Sequence, residues 1–194
     1  MKIPLIYQST DYDCVPTTII NGLNYLLDRE KIDPIILKTI MSYSLDQFDK
    51  KGVPGKGGTS KLAVELIANW LESFSQANNL GISCTFLNGN ELDITQNDKI
   101  KSCIEAGGVF LACVYLNDSA YHYVLVTGMD EEYVYFFDPY SIEGTYENDH
   151  IEIIQDMPFK MNRKASLQRF NAQEEIYYAL GIMEKREGVL LQKI

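Results

Sequence analysis

Apolar and polar positions along the chain change period about half-way. In the first half the spacing is helical. Ile19, Leu23, Leu26 and Leu27 share one face after Pro16, and proline suits a first helical turn. Asp33-Pro34 reads as an N-cap followed by proline at the first helical position, and Ile36, Ile40 and Met41 give that helix its apolar face. The breaker-rich stretch from Gly52 to Thr59 predicts a loop, after which Thr59 or Ser60 caps a strongly amphipathic helix carrying Ala63, Leu66, Ile67, Trp70, Leu71 and Phe74. A short strand is expected over Ile82 to Leu87, then a helix from Asn97 to the stop at Gly107-Gly108.

Beyond Gly108 the period is that of strands. Val109 to Leu116 is almost wholly apolar, as in a central strand buried on both faces. Tyr121 to Thr127 and Tyr133 to Phe137 are β-rich runs joined by a short Gly-containing link, a hairpin signature. Further strands are predicted at Ile151 to Gln155, Ile176 to Met183 and Val189 to Leu191. Helices first and strands later imply an α+β domain, with N-terminal helices packed on a C-terminal antiparallel sheet. The length of 194 residues suits one domain spanning 1–194, and no repeat or linker divides it.

Composition narrows the function classes. The chain is 46% hydrophobic, enough for a sizeable core, and its net charge of −10 disfavours a nucleic-acid partner, which needs clustered Lys and Arg. That acidity would suit a basic peptide. Four cysteines are too few for a disulfide scaffold in a chain of this size, and Cys84, Cys103 and Cys113 read as small buried hydrophobes in a reducing compartment. No apolar run is long enough to span a membrane, and the start has too short an apolar stretch for a signal peptide. A cytoplasmic protein is expected. Two histidines without a Cys-x-x-Cys leave little for a zinc site, so neither metal nor cofactor is expected. The Gly52-to-Thr59 segment is no phosphate loop, because Gly58 stands where that motif needs Lys.

Four residues carry chemistry. Cys14 lies two residues before Pro16, at a helix start, where the helix dipole favours a thiolate nucleophile. Asp11 and Asp13 flank it and oppose the thiolate unless they point away or cap the helix. Gln8, six residues upstream, has an amide that can donate to an oxyanion, and the intervening chain can fold back beside the nucleophile. His122 stands between two tyrosines in an apolar strand. If residues 128 and 133 close the hairpin, His122 faces Pro139, next to Asp138, so the carboxylate is placed to orient the imidazole. His150, in Asn148-Asp149-His150, reads as a loop histidine.

These residues resemble the bacteriocin-processing papain-like peptidases, the double-glycine leader peptidases of bacterial peptide exporters, and their free-standing relatives. The resemblance lies in Gln8 to Cys14 with the helix from Thr17 to Leu27, in Gly58-Thr59-Ser60, and in Glu105-Ala106-Gly107-Gly108-Val109. His122 to Gly128 and Phe137-Asp138-Pro139 complete it, and it runs from residue 5 to 140. It implies a papain-like cysteine peptidase fold and hydrolysis of a peptide bond. Cys14 would attack, His122 would act as base then acid, Asp138 would orient it, and Gln8 would line the oxyanion hole. Val15 departs from the pattern, since the family usually has Gly directly after the Cys. The partner implied is a peptide or protein substrate. Two other readings use the same fold: an acyltransferase with the same triad, and a catalytically silent peptide-binding module.

Overall fold

In a computed structural model the protein is described over residues 1–116, 120–141 and 151–194. Seven strands form one sheet in the order β1-β7-β2-β3-β4-β6-β5, with every pair antiparallel. They are β1 (Ile82–Asn88), β2 (Val109–Tyr115), β3 (Tyr121–Met129), β4 (Tyr133–Phe137), β5 (Ile151–Ile153), β6 (Arg163–Ser166) and β7 (Glu187–Lys193). The helices are α1 (Cys14–Leu26), α2 (Pro34–Tyr43), α3 (Lys61–Asn78), α4 (Asp98–Glu105) and the single turn α5 (Leu167–Phe170).

Local chemistry starts the helices where the side chains predict. Asp33 accepts a hydrogen bond from the Ile35 amide, Ser60 from Ala63 and Asn97 from Lys99, each filling an orphan donor of a first turn. The apolar stripes of α1, α2 and α3 meet one face of the sheet, where Leu23, Ile36, Ile40, Ile67 and Leu71 join Leu111, Leu125 and Leu191 in one core. The opposite face carries a second core, in which Ile100, Cys103 and Phe170 meet Phe110, Val114, Val124 and Phe136. Both cores draw on β2, all of whose residues are buried, as expected of a central strand.

The predicted strand over Ile176 to Met183 is not one. Its backbone turns through positive φ at Tyr178 (59°) and Gly181 (72°), and it closes over the second core as irregular chain. Its backbone groups are nevertheless satisfied. Tyr178 donates to Tyr115 O, Tyr115 donates to Ala179 O, and Leu180 donates to Phe170 O. The apolar content of this segment reflects burial, not strand pairing. Conversely, β6 went unread because Arg-Lys-Ala-Ser lacks a β-rich pattern, although β4 and β5 both pair with it. The last strand is longer than expected and inserts between β1 and β2.

The hairpin register also differs. Met129 pairs with Val134 and Gly128 with Tyr135, and a bulge at Thr127 resets the pairing to Val126 with Phe136 and Leu125 with Phe137. Carried forward, that register sets His122 opposite Tyr140. Asp138, two residues back on the same face, becomes a diagonal neighbour of His122 instead of an adjacent one.

Candidate active site

Residues 5–8 are bracketed from two sides. The buried Asn21 side chain on α1 accepts from the Ile6 amide (2.8 Å) and donates to the Ile6 carbonyl (2.9 Å). On the other side the Gln8 amide donates to Pro139 O at 2.9 Å, which joins the segment to the chain just past Asp138. α1 is fixed to the sheet near the same point, where the Thr18 hydroxyl donates to Tyr123 O at 3.0 Å. The helix start, the N-terminal segment and the ends of β3 and β4 therefore meet at one corner.

Cys14 is the first residue of α1 and is half-buried. The Asp13 carboxylate does not cap the helix. It turns back into the preceding loop, accepting from the amides of Ser9 (2.9 Å) and Thr10 (2.7 Å) and from the Thr10 hydroxyl (2.6 Å). Burial works against its charge, and these bonds outweigh it, holding the carboxyl below its ordinary value. Asp13 thus shapes the loop between Gln8 and Cys14. The Gln8 side-chain amide donates to Thr10 O at 2.7 Å, and its Oε1 is buried without a hydrogen-bond partner among the described residues. One amide hydrogen of Gln8 remains uncommitted.

His122 is 3% exposed and Asp138 is fully buried. The His122 Nε2 and Asp138 Oδ1 are 2.7 Å apart. The Cys14 sulfur also favours the charged form of the same ring. Burial opposes a charged imidazole, but the Asp138 carboxylate, its hydrogen bond and the Cys14 sulfur prevail and raise the His122 pKa to about 10. Burial likewise opposes the charge on Asp138, and His122 together with donors from Tyr178 and Tyr140 keeps that carboxyl below its ordinary value.

The setting of Asp138 is elaborate. Its Oδ2 accepts from the Tyr178 hydroxyl and its Oδ1 from the Tyr140 amide at 2.7 Å. Asn162 clamps its backbone, accepting from Asp138 N (2.7 Å) and donating to Asp138 O (2.8 Å). Neither Tyr178 nor Asn162 carried a readable signal, since both lie in a tail whose apolar residues suggested only strands.

A groove of about 680 Å³ opens beside Cys14. Tyr12, Cys14 and Val15 form one wall, the 56–61 loop another, and Cys113, Tyr123 and Glu187 lie along the sheet side. The loop wall depends on its glycines. Gly58 has φ +81°, and a Cβ at Gly57 would meet Phe48 O at 2.5 Å. The loop is pinned by Asp46, which accepts from the Ser60 amide (2.7 Å) and hydroxyl (2.6 Å). The Gln8 side chain is not among the lining residues.

The helix-borne cysteine, the upstream Gln segment and the buried His–Asp pair all lie within the span that a family model matches. The Peptidase_C39 like family matches residues 1–172. The chain belongs to this family. No curated protein matches it.

The family match extends well past residue 140, into β5, β6 and α5. Tyr178 and Glu187 lie beyond it. Val15, where the bacteriocin-processing peptidases usually have Gly, is 2% exposed and packs into the helix-side core while also lining the groove. His150 lies outside the described residues. Among the described residues no group of three or more His, Cys, Asp or Glu is arranged to hold a metal ion, and no helix is long and apolar enough to cross a membrane.

Proposed function

We propose that this chain is a cysteine peptidase that cleaves a peptide bond through Cys14, His122 and Asp138, with Gln8 in the oxyanion hole. The observation that carries the reading is the buried His122–Asp138 pair, 2.7 Å apart and interacting with a cysteine at a helix N-terminus. A structural histidine has no need of a fully buried carboxylate on one side and a groove-facing thiol on the other.

His122, its pKa raised to about 10, holds the proton of the pair, and the Cys14 Sγ attacks the substrate carbonyl carbon as the thiolate. The oxyanion is met by a backbone N–H at the start of α1 and by the uncommitted amide hydrogen of Gln8. His122 then protonates the leaving amine, and an acyl-thioester remains on Cys14. Water enters, gives a proton to His122 and attacks the thioester carbonyl, releasing the acid and restoring the thiolate beside the protonated ring. Asp138 keeps the ring oriented and balances its charge throughout. A role in processing leader peptides in the cytoplasm is the reading that the resemblance to the bacteriocin-processing peptidases supports, and a reducing compartment would keep the four free cysteines reduced.

Thiol labelling tests the nucleophile. Burial raises the thiol pKa of Cys84, Cys103 (to about 11) and Cys113. Iodoacetamide near neutral pH, followed by mass spectrometry, is expected to modify Cys14 at least tenfold faster, roughly, than these three. An activated ester should leave its acyl group on Cys14 as a hydrolysable adduct. Uniform labelling, or an adduct on another cysteine, would overturn the assignment.

A further inference from the structure

Glu187 is a buried acid that the mechanism does not use. It begins β7 and is 9% exposed. Cys113 pairs with Tyr123 across β2 and β3, and Ala112 pairs with Gly188 across β2 and β7. Tyr123, Cys113 and Glu187 therefore form a row across three neighbouring strands, on the face that receives α1. This row lines the groove that also holds Cys14.

The carboxyl is only partly provided for. Its Oε1 accepts from the Tyr123 hydroxyl at 2.7 Å, and the Cys113 thiol lies beside it along the groove. Among the described residues it makes no ion pair. The nearby cation is Lys61 at the start of α3, which acts on Glu187 through space while its Nζ lies 6.0 Å from the centre of the Phe86 ring. Elsewhere along the groove the charges balance, with Asp11 and Glu184 against Lys56 and Lys185. With Glu187 and Lys61 the lining carries three acids and three lysines, and among the described residues Glu187 has no cation in direct contact. Burying a carboxylate with no cation against it is costly, and burial pushes the Glu187 carboxyl above its ordinary value despite Tyr123 and Lys61.

We infer that Glu187 determines specificity by receiving a basic side chain, Lys or Arg, of the peptide bound beside Cys14. An ammonium or guanidinium entering the groove would give the buried carboxylate a counter-charge in direct contact, which Lys61 supplies only through space. A neutral side chain of equal length would leave the carboxylate as costly as before. Lys61 opposes the incoming cation and so limits the preference. This assignment rests on the groove being the peptide site of the proposed peptidase, and the test separates the two.

The probes are fluorescein-labelled Ala/Gly/Leu peptides in which one position carries Lys, Arg, norleucine, Gln or Glu. Binding is read by anisotropy on the Cys14→Ala chain, so no turnover is needed. At one position Lys or Arg should bind about 10- to 100-fold more tightly than norleucine. Glu187→Gln, which keeps the shape, should abolish that ratio while leaving the norleucine peptide within about twofold. Lys61→Gln should enlarge the ratio. Equal binding of Lys and norleucine peptides at every position, or a ratio unchanged in Glu187→Gln, would overturn the inference. If Glu187→Gln fails to fold by circular dichroism, Lys61→Gln decides, and a ratio that it does not raise overturns the inference. The same peptides offered to the chain with Cys14 intact test the other reading: selective binding without cleavage would sink the peptidase and leave Glu187 standing, and cleavage without selectivity would do the reverse.

Discussion

Two of the buried basic side chains, Arg186 and His122, are held in opposite ways. Arg186 is 1% exposed, and its guanidinium is met by neutral acceptors. Nε donates to Gly181 O, Nη1 to Leu92 O and Asn171 Oδ1, and Nη2 to Asn171 O and Ala172 O. That uses every donor of the fork. Its nearest counter-charge, Asp93, acts through space and through Asn171, which donates to Asp93 Oδ1 at 3.0 Å. His122 has a carboxylate directly on one nitrogen and a thiol as its other neighbour. Arg186 cannot release its proton at any ordinary pH, so it can only tie the 171–181 segment to the start of β7. His122 holds a proton that can move. Burial of charge is common to both, and what separates a structural tie from the proposed catalytic histidine is a titratable partner facing open space.

The largest effects should split along that line. His122→Ala removes both proton transfers and is expected to lower single-turnover acylation of Cys14 by more than the roughly 10²–10⁴-fold of one general acid–base contribution. It also leaves the buried Asp138 carboxylate without its partner, so stability should fall and acylation is compared on the molecules that remain folded. Arg186→Met should spare acylation. It strands the carbonyls of Gly181, Leu92 and Asn171, while Ala172 O keeps the Gly181 amide, and is expected to cost about 3–5 kcal/mol of stability in chemical denaturation, with near-parent acylation by the molecules that remain folded. Normal stability in Arg186→Met, or parent-rate acylation in His122→Ala, would break the comparison.

Asp138→Asn probes the charge without the shape. Asn can still accept from Tyr140 N and a neutral His122 through Oδ1, and can donate to the Tyr178 oxygen through Nδ2. Activity should fall less than in His122→Ala. The pH dependence of stability carries a sharper signal. The His122 pKa is raised in the folded protein to about 10, above an unfolded value of about 6.5. Its contribution is therefore complete below about pH 6.5 and fades as pH rises through the folded value. Without the carboxylate that supports the charged ring, Asp138→Asn should lose most of that slope between roughly pH 6.5 and 10. Thermal melts across that range would show it, and parallel curves for parent and variant would refute it.

How much of this was legible follows from the range of the forces involved. Caps at Asp33, Ser60 and Asn97 act within one turn, so the helix starts could be read from neighbouring residues. Cys14, His122 and Asp138 stood out because each falls at the end of a periodic run. The Thr127 bulge did not, because the Thr127 hydroxyl is held by Lys160 O, 33 positions away. The 176–183 segment misled because burial against the sheet selects the same apolar residues as strand pairing does. Tyr178, Arg186 and Glu187 act on partners at sequence separations of 40, 94 and 64 residues, and local pattern carries no trace of such contacts.

Tyr178→Phe should have the smallest effect and the most telling sign. The Tyr178 hydroxyl donates to Asp138 Oδ2 from a fully buried position with φ 59°, so it stabilises the carboxylate without touching Cys14 or the groove. Removing the donor leaves Asp138 a stronger base. Its pull on the His122 proton grows, and the alkaline limb of kcat/KM, where His122 loses that proton, should move to higher pH by less than about one unit. Asp138→Asn should move the same limb the other way, toward the ordinary histidine range. A role limited to packing would lower kcat or stability evenly and leave the limb in place. A limb that stays fixed in Tyr178→Phe while it falls in Asp138→Asn would make Tyr178 a support for the fold of the tail alone. Opposite movements would make it the positioning residue through which the tail tunes the buried pair.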